Sequence, residues 1–391
     1  MKSLHFLLCC LLLALVAVSD SGEAVRCRYF WVVRDDLASP ASIDSLIDKA
    51  AAAGANGLIA QVAGRAEAYY ESDILPSASV EPGFDPLEYL INRARPRGME
   101  VHAWVNAFLV WSAPYPPSDS SHIWHAHPEW FMTDGNHRST RDYTRPQCEA
   151  SSLVGATLSP AVPEVRHFLG RVTSEIAVNY DVDGIHLDYI RYPNPTFGFE
   201  PVSVGAFFFK TGLNARELVI RHGSDAELEE AWSQWKRDMV TETVETVRAA
   251  LRRNAPGTLL SCAVMADPYE AASHYSCDWR KWLEDGLVDF VCTMAYTTNQ
   301  SKARELALLG AGTVPERVVH GIGVYNQSVP SALAGAETAV ENECAGICVF
   351  SLNSLSSSDT WMLSQFWGEG RTSEHPLETA VFQRVSKGNG I

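Results

Sequence analysis

The sequence predicts a closed barrel of eight parallel strands surrounded by helices, the (β/α)8 or TIM-barrel architecture of the α/β class. Eight short apolar runs alternate with helical stretches along the 391-residue chain, and this order is typical of parallel sheets. The rival is an open, doubly wound sheet, which more often carries a Gly-rich phosphate turn after its first strand. The end of the first predicted strand and its continuation, residues 31–36 (WVVRDD), contain no glycine. The barrel is therefore favoured.

The strands are predicted from apolar, β-rich runs that end at polar or turn-forming residues. In chain order they cover residues 28–34, 57–62, 98–106, 183–189, 258–265, 287–294, 317–324 and 346–352. Alternation is clearest in the fourth strand (DGIHLDY), where His186 and Asp188 share the face opposite the apolar side chains. Burying two ionisable groups on one face of an apolar strand costs free energy, unless they have a partner or a functional role that compensates for it. This strand is therefore the expected centre of the molecule.

Helices are predicted between the strands from their composition and from capping residues; the first opens after Ser39 and closes at Gly54. The helices cover residues 40–53, 86–95, 162–180, 232–254, 279–284, 301–309 and 331–343. Two connections are much longer than ordinary loops, 107–158 after the third strand and 189–231 after the fourth. They are rich in aromatic residues, so we expect them to be ordered and to wall the barrel mouth.

The N-terminus is typical of a secretory signal, since Lys2 precedes an apolar run over residues 4–18 and small residues follow it. The predicted organisation is a signal peptide (1–24), a barrel domain (25–368) and a C-terminal tail (369–391). We therefore expect a secreted or periplasmic protein without stable membrane insertion. An uncleaved membrane anchor is the alternative, although the run is short for a span of roughly 20 residues.

Seven cysteines remain after cleavage of the predicted signal. The number is odd, so at least one stays free or pairs between chains. Cys262, Cys292 and Cys348 lie in apolar strand-like runs, where we interpret them as buried free thiols.

The formal charge of −16 argues against a nucleic-acid partner, because phosphate binding needs a basic face. It also argues against an anionic membrane surface, whereas a neutral or weakly charged polymer is compatible with it. The sequence has no Walker motif, HExxH motif or zinc spacing. We therefore expect no metal ion and no cofactor.

Polar and aromatic residues recur where the predicted strands end, and in a barrel these ends meet at one mouth. The candidates at these ends are Arg34, Arg65, Trp104, Asn106, His186, Asp188, Asp267, Tyr296 and Tyr325. Each has a structural alternative: the arginines form ion pairs, and the aromatic residues pack in the core. Asp188 caps its loop or pairs with an arginine, and Asp267 starts a turn before Pro268.

Seven segments, spread through nearly the whole mature chain, carry a resemblance to a known family. They are residues 61–70 (QVAGRAEAYY), 102–106 (HAWVN), 127–131 (HPEWF), 158–166 (LSPAVPEVR), 180–193 (YDVDGIHLDYIRYP), 278–296 (DWRKWLEDGLVDFVCTMAY) and 321–325 (GIGVY). In these segments the chain resembles the bacterial glycosyl-hydrolase-like family 10, a group of secreted TIM-barrel proteins. Two residues depart from the family pattern: Tyr189 and Glu67 stand where Asp is common. The resemblance implies a hydrolase of glycan chains, with peptidoglycan strands stripped of their peptides as a leading substrate.

Glycoside hydrolysis usually needs two carboxyl groups that flank the scissile bond. Asp188 is the predicted nucleophile or base; Asp267 is the first choice for the acid and Glu67 the second. The predicted sugar-binding residues are Arg34, Arg65, Trp104, Asn106, His186, Tyr296 and Tyr325, through hydrogen bonds or flat aromatic faces. Two alternatives stay open: a non-catalytic glycan-binding barrel, which the departure at Tyr189 makes conceivable, and a hydrolase of an exopolysaccharide.

Overall fold

The strands of the computed structural model form one closed barrel and one small separate sheet. The structure describes residues 25–220, 225–312 and 314–368, so the predicted signal peptide (1–24) and tail (369–391) lie outside the described residues. The strands are β1 (Cys27–Val32), β2 (Gly57–Ala63), β3 (Glu100–Asn106), β4 (Leu109–Trp111), β5 (Ala156–Thr157), β6 (Gly184–Asp188), β7 (Leu259–Met265), β8 (Phe290–Met294), β9 (Val318–Gly323) and β10 (Gly346–Phe350). Eight of them close in the order β1-β10-β9-β8-β7-β6-β3-β2, and every neighbouring pair is parallel. The predicted (β/α)8 barrel is confirmed.

The α-helices lie between and around these strands. They are α1 (Pro40–Ala52), α2 (Pro86–Ala94), α3 (Ile123–Ala126), α4 (Arg145–Ala150), α5 (Pro163–Asn179), α6 (Pro201–Thr211), α7 (Arg216–Ile220), α8 (Ala226–Asn254), α9 (Pro268–Tyr275), α10 (Trp279–Glu284), α11 (Gln300–Ala311), α12 (Val329–Glu341) and α13 (Ser357–Phe366). The first begins as predicted, because Ser39 Oγ accepts the backbone N–H of Ser42 at 3.2 Å. Within the described ranges, no helix is both long enough and apolar enough to cross a bilayer.

Several helices differ from the prediction, and in two of them an aspartate cap decides where the helix starts. Helix α8 begins at Ala226 and not near residue 232, since the Asp225 carboxylate accepts the N–H of Leu228 at 3.0 Å. Helix α9 was not predicted, and it is capped by Asp267.

The barrel interior is filled by side chains from alternate strand positions. Tyr29 and Trp31 belong to the inner cluster, whereas Phe30 and Val32 belong to the cluster between the strands and the helices. This is the alternation that a parallel barrel requires. Because the interior is packed, we expect a ligand site at the carboxyl ends of the strands, where TIM-barrel enzymes place theirs.

The two predicted long loops are folded insertions that contact each other. The first carries the antiparallel pair β4–β5, and the second packs Phe207 of α6 on Trp232 of α8, with ring centroids 5.0 Å apart. The insertions meet where Gly198 N–H donates to the carbonyl of Thr133 at 3.0 Å. The buried carboxylate of Glu200 also accepts the N–H of Thr133 at 3.2 Å. Together they build one rim of the barrel mouth.

The seven cysteines of the described residues are all free, and all but Cys148 are buried. The interpretation of Cys262, Cys292 and Cys348 as buried free thiols is confirmed.

The seam between β1 and β10 gives a stability prediction. Gly346 lies opposite Cys27, and a Cβ at this position would stand 2.0 Å from the Cys27 carbonyl oxygen. We expect Gly346→Ala to lower the free energy of unfolding by about 1–3 kcal/mol, because backbone cannot yield without disturbing barrel closure. Gly205→Ala in α6 is the matched control, since the new Cβ would extend into open space and alanine favours the helix by about 0.5–1 kcal/mol. Equal urea midpoints for Gly346→Ala and the wild type would contradict this account of the seam.

Candidate functional site

Asp188 is the last residue of β6 and lies opposite Asn106 at the end of β3. Tyr189, the next residue, has φ of 52°, a left-handed conformation that ends the strand abruptly. This turn places the Tyr189 N–H 2.6 Å from Asp188 Oδ1, and Arg191 Nη1 donates to the same oxygen at 3.2 Å. No described residue donates a hydrogen bond to Oδ2. One carboxylate oxygen is thus held by the protein and the other is available to a ligand.

Opposing electrostatic effects act on Asp188. Burial raises the pKa of its carboxyl group, while the charge of Arg191 and the hydrogen bond from Tyr189 N–H lower it in part. The side chains of Asp188 and Arg191 are only 9% and 13% exposed. The Arg191 guanidinium also lies over the Tyr189 ring, 4.6 Å from its centroid. The sequence left open that Asp188 pairs with an arginine, and the structure contains this pair. The guanidinium stabilises the desolvated carboxylate at the mouth.

A second charged cluster is contributed by the ends of β1 and β2. Burial raises the pKa of Glu67, and Arg65 and Arg34 oppose that rise. Burial also raises the pKa of Tyr189 to about 12, with Asp188 adding to the rise and Arg191 and Arg34 opposing it. Arg34 therefore lies in the field of both Glu67 and the turn after Asp188. The structure brings these predicted residues together at one mouth.

Three buried side chains hold the loop that carries Arg65 and Glu67. Asn106 Oδ1 accepts Trp104 Nε1 at 2.9 Å and Gln61 Nε2 at 3.3 Å, and Asn106 Nδ2 donates to the Gly64 carbonyl at 2.7 Å. Trp104 and Asn106 are 5% and 7% exposed, and their polar atoms are used within the protein. This location gives them a positioning role beneath the mouth and leaves little surface for the sugar contact predicted for them.

His186 lies one layer deeper, in the barrel interior. Its Nε2 accepts Trp31 Nε1 at 3.4 Å, which leaves Nδ1–H to donate to Ser261 Oγ at 2.9 Å. Burial, with a contribution from His102, lowers the pKa of His186 to about 3. It is a neutral, fully buried core histidine, and in this structure it has no surface with which to bind a sugar.

Asp267 lies beyond β7 and serves as the N-cap of α9. Its Oδ1 accepts the backbone N–H groups of Tyr269 and Glu270 at 2.9 and 3.2 Å. The turn alternative therefore describes its geometry, in which Oδ1 caps the N-terminus of the helix.

The predicted tyrosines form an aromatic group on the other side of the mouth. Tyr296 stacks on Phe350 with centroids 5.4 Å apart, and Tyr325 meets both edge-on at 6.1 and 5.8 Å. Burial is the main reason that the pKa of Tyr296 is raised, but the charge of Asp188 also contributes. Tyr296 therefore lies near Asp188, while Tyr325 is 52% exposed and offers a flat face to a ligand.

Arg191 is a candidate site residue that sequence reasoning did not select. It follows Asp188 by three positions, and only the left-handed turn at Tyr189 brings the two side chains together. The signal that was available is an arginine just past a buried strand-end aspartate, a charge that needs a partner. Within the described residues, no group of three or more His, Cys, Asp or Glu side chains is placed to hold a metal ion.

Comparisons with known proteins agree with this architecture. Residues 27–338 match the family described as Glycosyl hydrolase-like 10. The glycosyl hydrolase YngK of Bacillus subtilis (strain 168) is 24% identical over 303 residues, which cover 70% of this chain and 53% of YngK. The glycosyl hydrolase DigH of Escherichia coli (strain K12) is 24% identical over 330 residues, which cover 75% of this chain and 67% of DigH. The chain thus spans about half of YngK and two thirds of DigH.

Two solved structures share the fold. The PgaB (BpsB) glycoside hydrolase domain from Bordetella bronchiseptica has a TM-score of 0.68 at 15% identity, over 88% of this chain and 99% of that one. The catalytic domain of β-amylase from Paenibacillus polymyxa has a TM-score of 0.59 at 12% identity, over 94% of this chain and 100% of that one. At these identities the likeness establishes the barrel.

The Asp188–Arg191 pair gives a prediction about stability and pH. Arg191→Met leaves a buried carboxylate without its cation, which costs about 3–5 kcal/mol. It also raises the pKa of Asp188 further above its value in the unfolded chain. The folded variant then binds more protons than the unfolded chain, so its deficit relative to the wild type shrinks as pH falls through that pKa.

Urea denaturation at pH 7 and at pH 5 measures this deficit. Arg145→Met is the matched control, because Arg145 forms an exposed pair with Glu149 and should contribute little at either pH. A deficit for Arg191→Met that is pH-independent, or no larger than that of the control, would contradict the account of the pair.

Proposed function

The chain belongs to the glycosyl hydrolase-like 10 family, and on that premise we propose that it is a secreted glycoside hydrolase that cleaves the glycosidic bonds of a polysaccharide. The observation that carries the proposal is the buried carboxylate of Asp188 at the mouth end of β6, with Oδ2 left free by the described residues. Catalytic groups of TIM-barrel enzymes occupy this position. The first substrate to test is the glycan strand of peptidoglycan without its peptides.

Asp188 acts in this proposal as the nucleophile or as the base that activates water. Either role needs an ionised carboxylate, and Arg191 with the Tyr189 N–H favours that form against desolvation. Arg191 is thus a positioning residue. It orients Oδ1, so that Oδ2 faces the sugar.

Glu67 is the better supported of the two candidate acids. An acid must carry a proton near neutral pH, and burial raises the pKa of Glu67 in that direction. Asp267, in contrast, accepts two backbone N–H groups as the N-cap of α9. The proposal therefore places Glu67 ahead of Asp267, the reverse of the order expected from sequence.

The sugar would lie between the exposed ring of Tyr325 and the arginines beside Glu67. Aromatic rings bind the apolar face of a pyranose, and guanidinium groups donate to its hydroxyl oxygens. Secretion, proposed from the N-terminal signal in the sequence, would place the protein where such polymers occur.

A second candidate function is a non-catalytic glycan-binding barrel. The observation in its favour is the ion pair of Asp188 with Arg191, which a purely structural carboxylate would also form. In that case the wild type binds glycan strands but releases no products.

The activity prediction separates these roles. With peptide-free glycan strands as substrate, Asp188→Asn should abolish the release of new reducing ends, and Glu67→Gln should lower its rate by about 10²–10⁴. Asp267→Asn is the control, since asparagine also caps helices well; it should retain activity within a few-fold. Products are followed by mass spectrometry, and an exopolysaccharide panel tests the alternative substrate.

Three outcomes would change the assignment. A fully active Asp188→Asn variant would remove Asp188 from the mechanism. Loss of activity in Asp267→Asn together with an active Glu67→Gln variant would restore Asp267 as the acid. Binding without cleavage by the wild type would favour the glycan-binding barrel.

A further inference from the structure

A cavity of about 430 Å³ lies in the insertion after β3, outside the cluster around Asp188. Its volume is within the range of small-ligand sites. Its wall combines aromatic and charged side chains, among them Trp111, Tyr115, Trp124, Arg141, Arg145 and Glu149. This mixture of flat apolar faces and hydrogen-bonding groups is suited to a sugar ring with a polar substituent.

Arg141 is the unusual member of this wall. Its guanidinium lies 5.1 Å from the centroid of the Trp124 ring and 5.3 Å from that of the Phe131 ring. Its Nε is buried and has no hydrogen-bond partner among the described residues. Leaving a buried donor of a charged group unpaired is costly. A ligand that supplies an acceptor would remove this cost.

The other charges of the cavity make Arg141 the cation available to a ligand. Arg145 is already paired with Glu149, with Nε and Oε1 3.2 Å apart. Arg141 forms no ion pair with a described residue. A planar guanidinium recognises a carboxylate better than a hydroxyl, because two parallel N–H groups can engage two oxygens.

The cavity borders the mouth through Arg65. Arg65 Nε donates to Ser112 Oγ at 3.2 Å, and its guanidinium lies 5.6 Å from the centroid of the Trp111 ring. Ser112 and Trp111 line the cavity, while Arg65 also acts on the pKa of Glu67. Trp111 follows Asn106 by five residues, so it lies at most about 18 Å from it. A single oligosaccharide can span that distance.

We propose that this cavity is a distal subsite for a sugar unit that carries a carboxylate, and that Arg141 is its specificity-determining residue. The inference rests on the proposed function, because it takes the glycan to run from the mouth across Arg65 into the insertion. The carboxylate could belong to the lactyl group of a peptide-free peptidoglycan strand or to a uronic acid, which share the same chemistry at Arg141.

Binding measurements test the subsite apart from catalysis. In the full-length Asp188→Asn variant, isothermal titration compares three oligosaccharides of equal length: peptide-free peptidoglycan, a polyuronate and neutral chitin. Adding Arg141→Gln should weaken binding of the acidic ligand by about tenfold or more, the worth of one charge-assisted hydrogen bond. Chitin binding should not change. The peptidoglycan and polyuronate arms identify the source of the carboxylate.

Arg145→Gln is the matched control, since Arg145 lines the same cavity but is paired with Glu149; it should change affinity less than threefold. Arg141→Lys, which keeps the charge, should restore part of the affinity. Unchanged binding of both acidic ligands by Arg141→Gln, or an equal loss for chitin, would overturn the proposal. Should Arg141→Gln fail to fold, a crystal structure of the Asp188→Asn variant with the acidic oligosaccharide decides: a carboxylate bonded to Arg141 supports the subsite, and an empty cavity refutes it.

The outcomes for the subsite and for the proposed function are distinguishable. In the otherwise wild-type protein, Arg141→Gln should raise KM for the acidic polymer and leave kcat unchanged. Cleavage with an unchanged KM refutes the subsite alone. Arg141-dependent binding without any cleavage refutes the hydrolase alone.

Discussion

The burial of one negative charge constrains the whole mouth of this barrel. Asp188 leaves water at the end of β6, and this desolvation raises the pKa of its carboxyl group. The opposing contributions are local: the N–H of the next residue and a guanidinium three residues along the chain. Both depend on the left-handed turn at Tyr189. A short stretch of backbone thus supplies the two groups that favour the ionised form of this carboxylate.

The layers below and beside Asp188 support that arrangement. Trp31 and Ser261 fix the neutral His186 beneath it, so this histidine adds no charge next to the carboxylate. On the β2–β3 side, Asn106 ties the loop of Arg65 and Glu67 to the strand ends. The candidate site is consequently built on strand termini, while the two insertions would supply the surface for the rest of a polymer in the proposed function.

The fold could be predicted because strand alternation and helix caps are local signals. The same alternation placed Trp104, Asn106 and His186 correctly on the interior side, yet it does not tell how deep along the barrel axis a side chain lies. This depth is set by the register between strands that are distant in sequence. At the depth observed, the three side chains pack beneath the mouth and have little surface that a ligand could contact. The sequence left open that Asp188 pairs with an arginine but did not identify Arg191, since a single positive φ at a tyrosine is not encoded by any periodic pattern. For Asp267 the sequence offered a turn before Pro268 and the acid as interpretations, and the observed hydrogen bonds show that it caps a helix that was not predicted.

The central claim, that Asp188 and Glu67 flank the bond that is cleaved, is tested most directly by a crystal structure of the Glu67→Gln variant with a bound peptide-free glycan oligosaccharide. The account predicts a glycosidic oxygen beside the amide at position 67 and Asp188 Oδ2 facing the anomeric carbon or a water next to it. The separation of the two side chains would also assign the stereochemistry, about 5–5.5 Å for retention and about 6.5–9.5 Å for inversion. An oligosaccharide bound away from Asp188, or a different carboxylate across the scissile bond, would contradict the account.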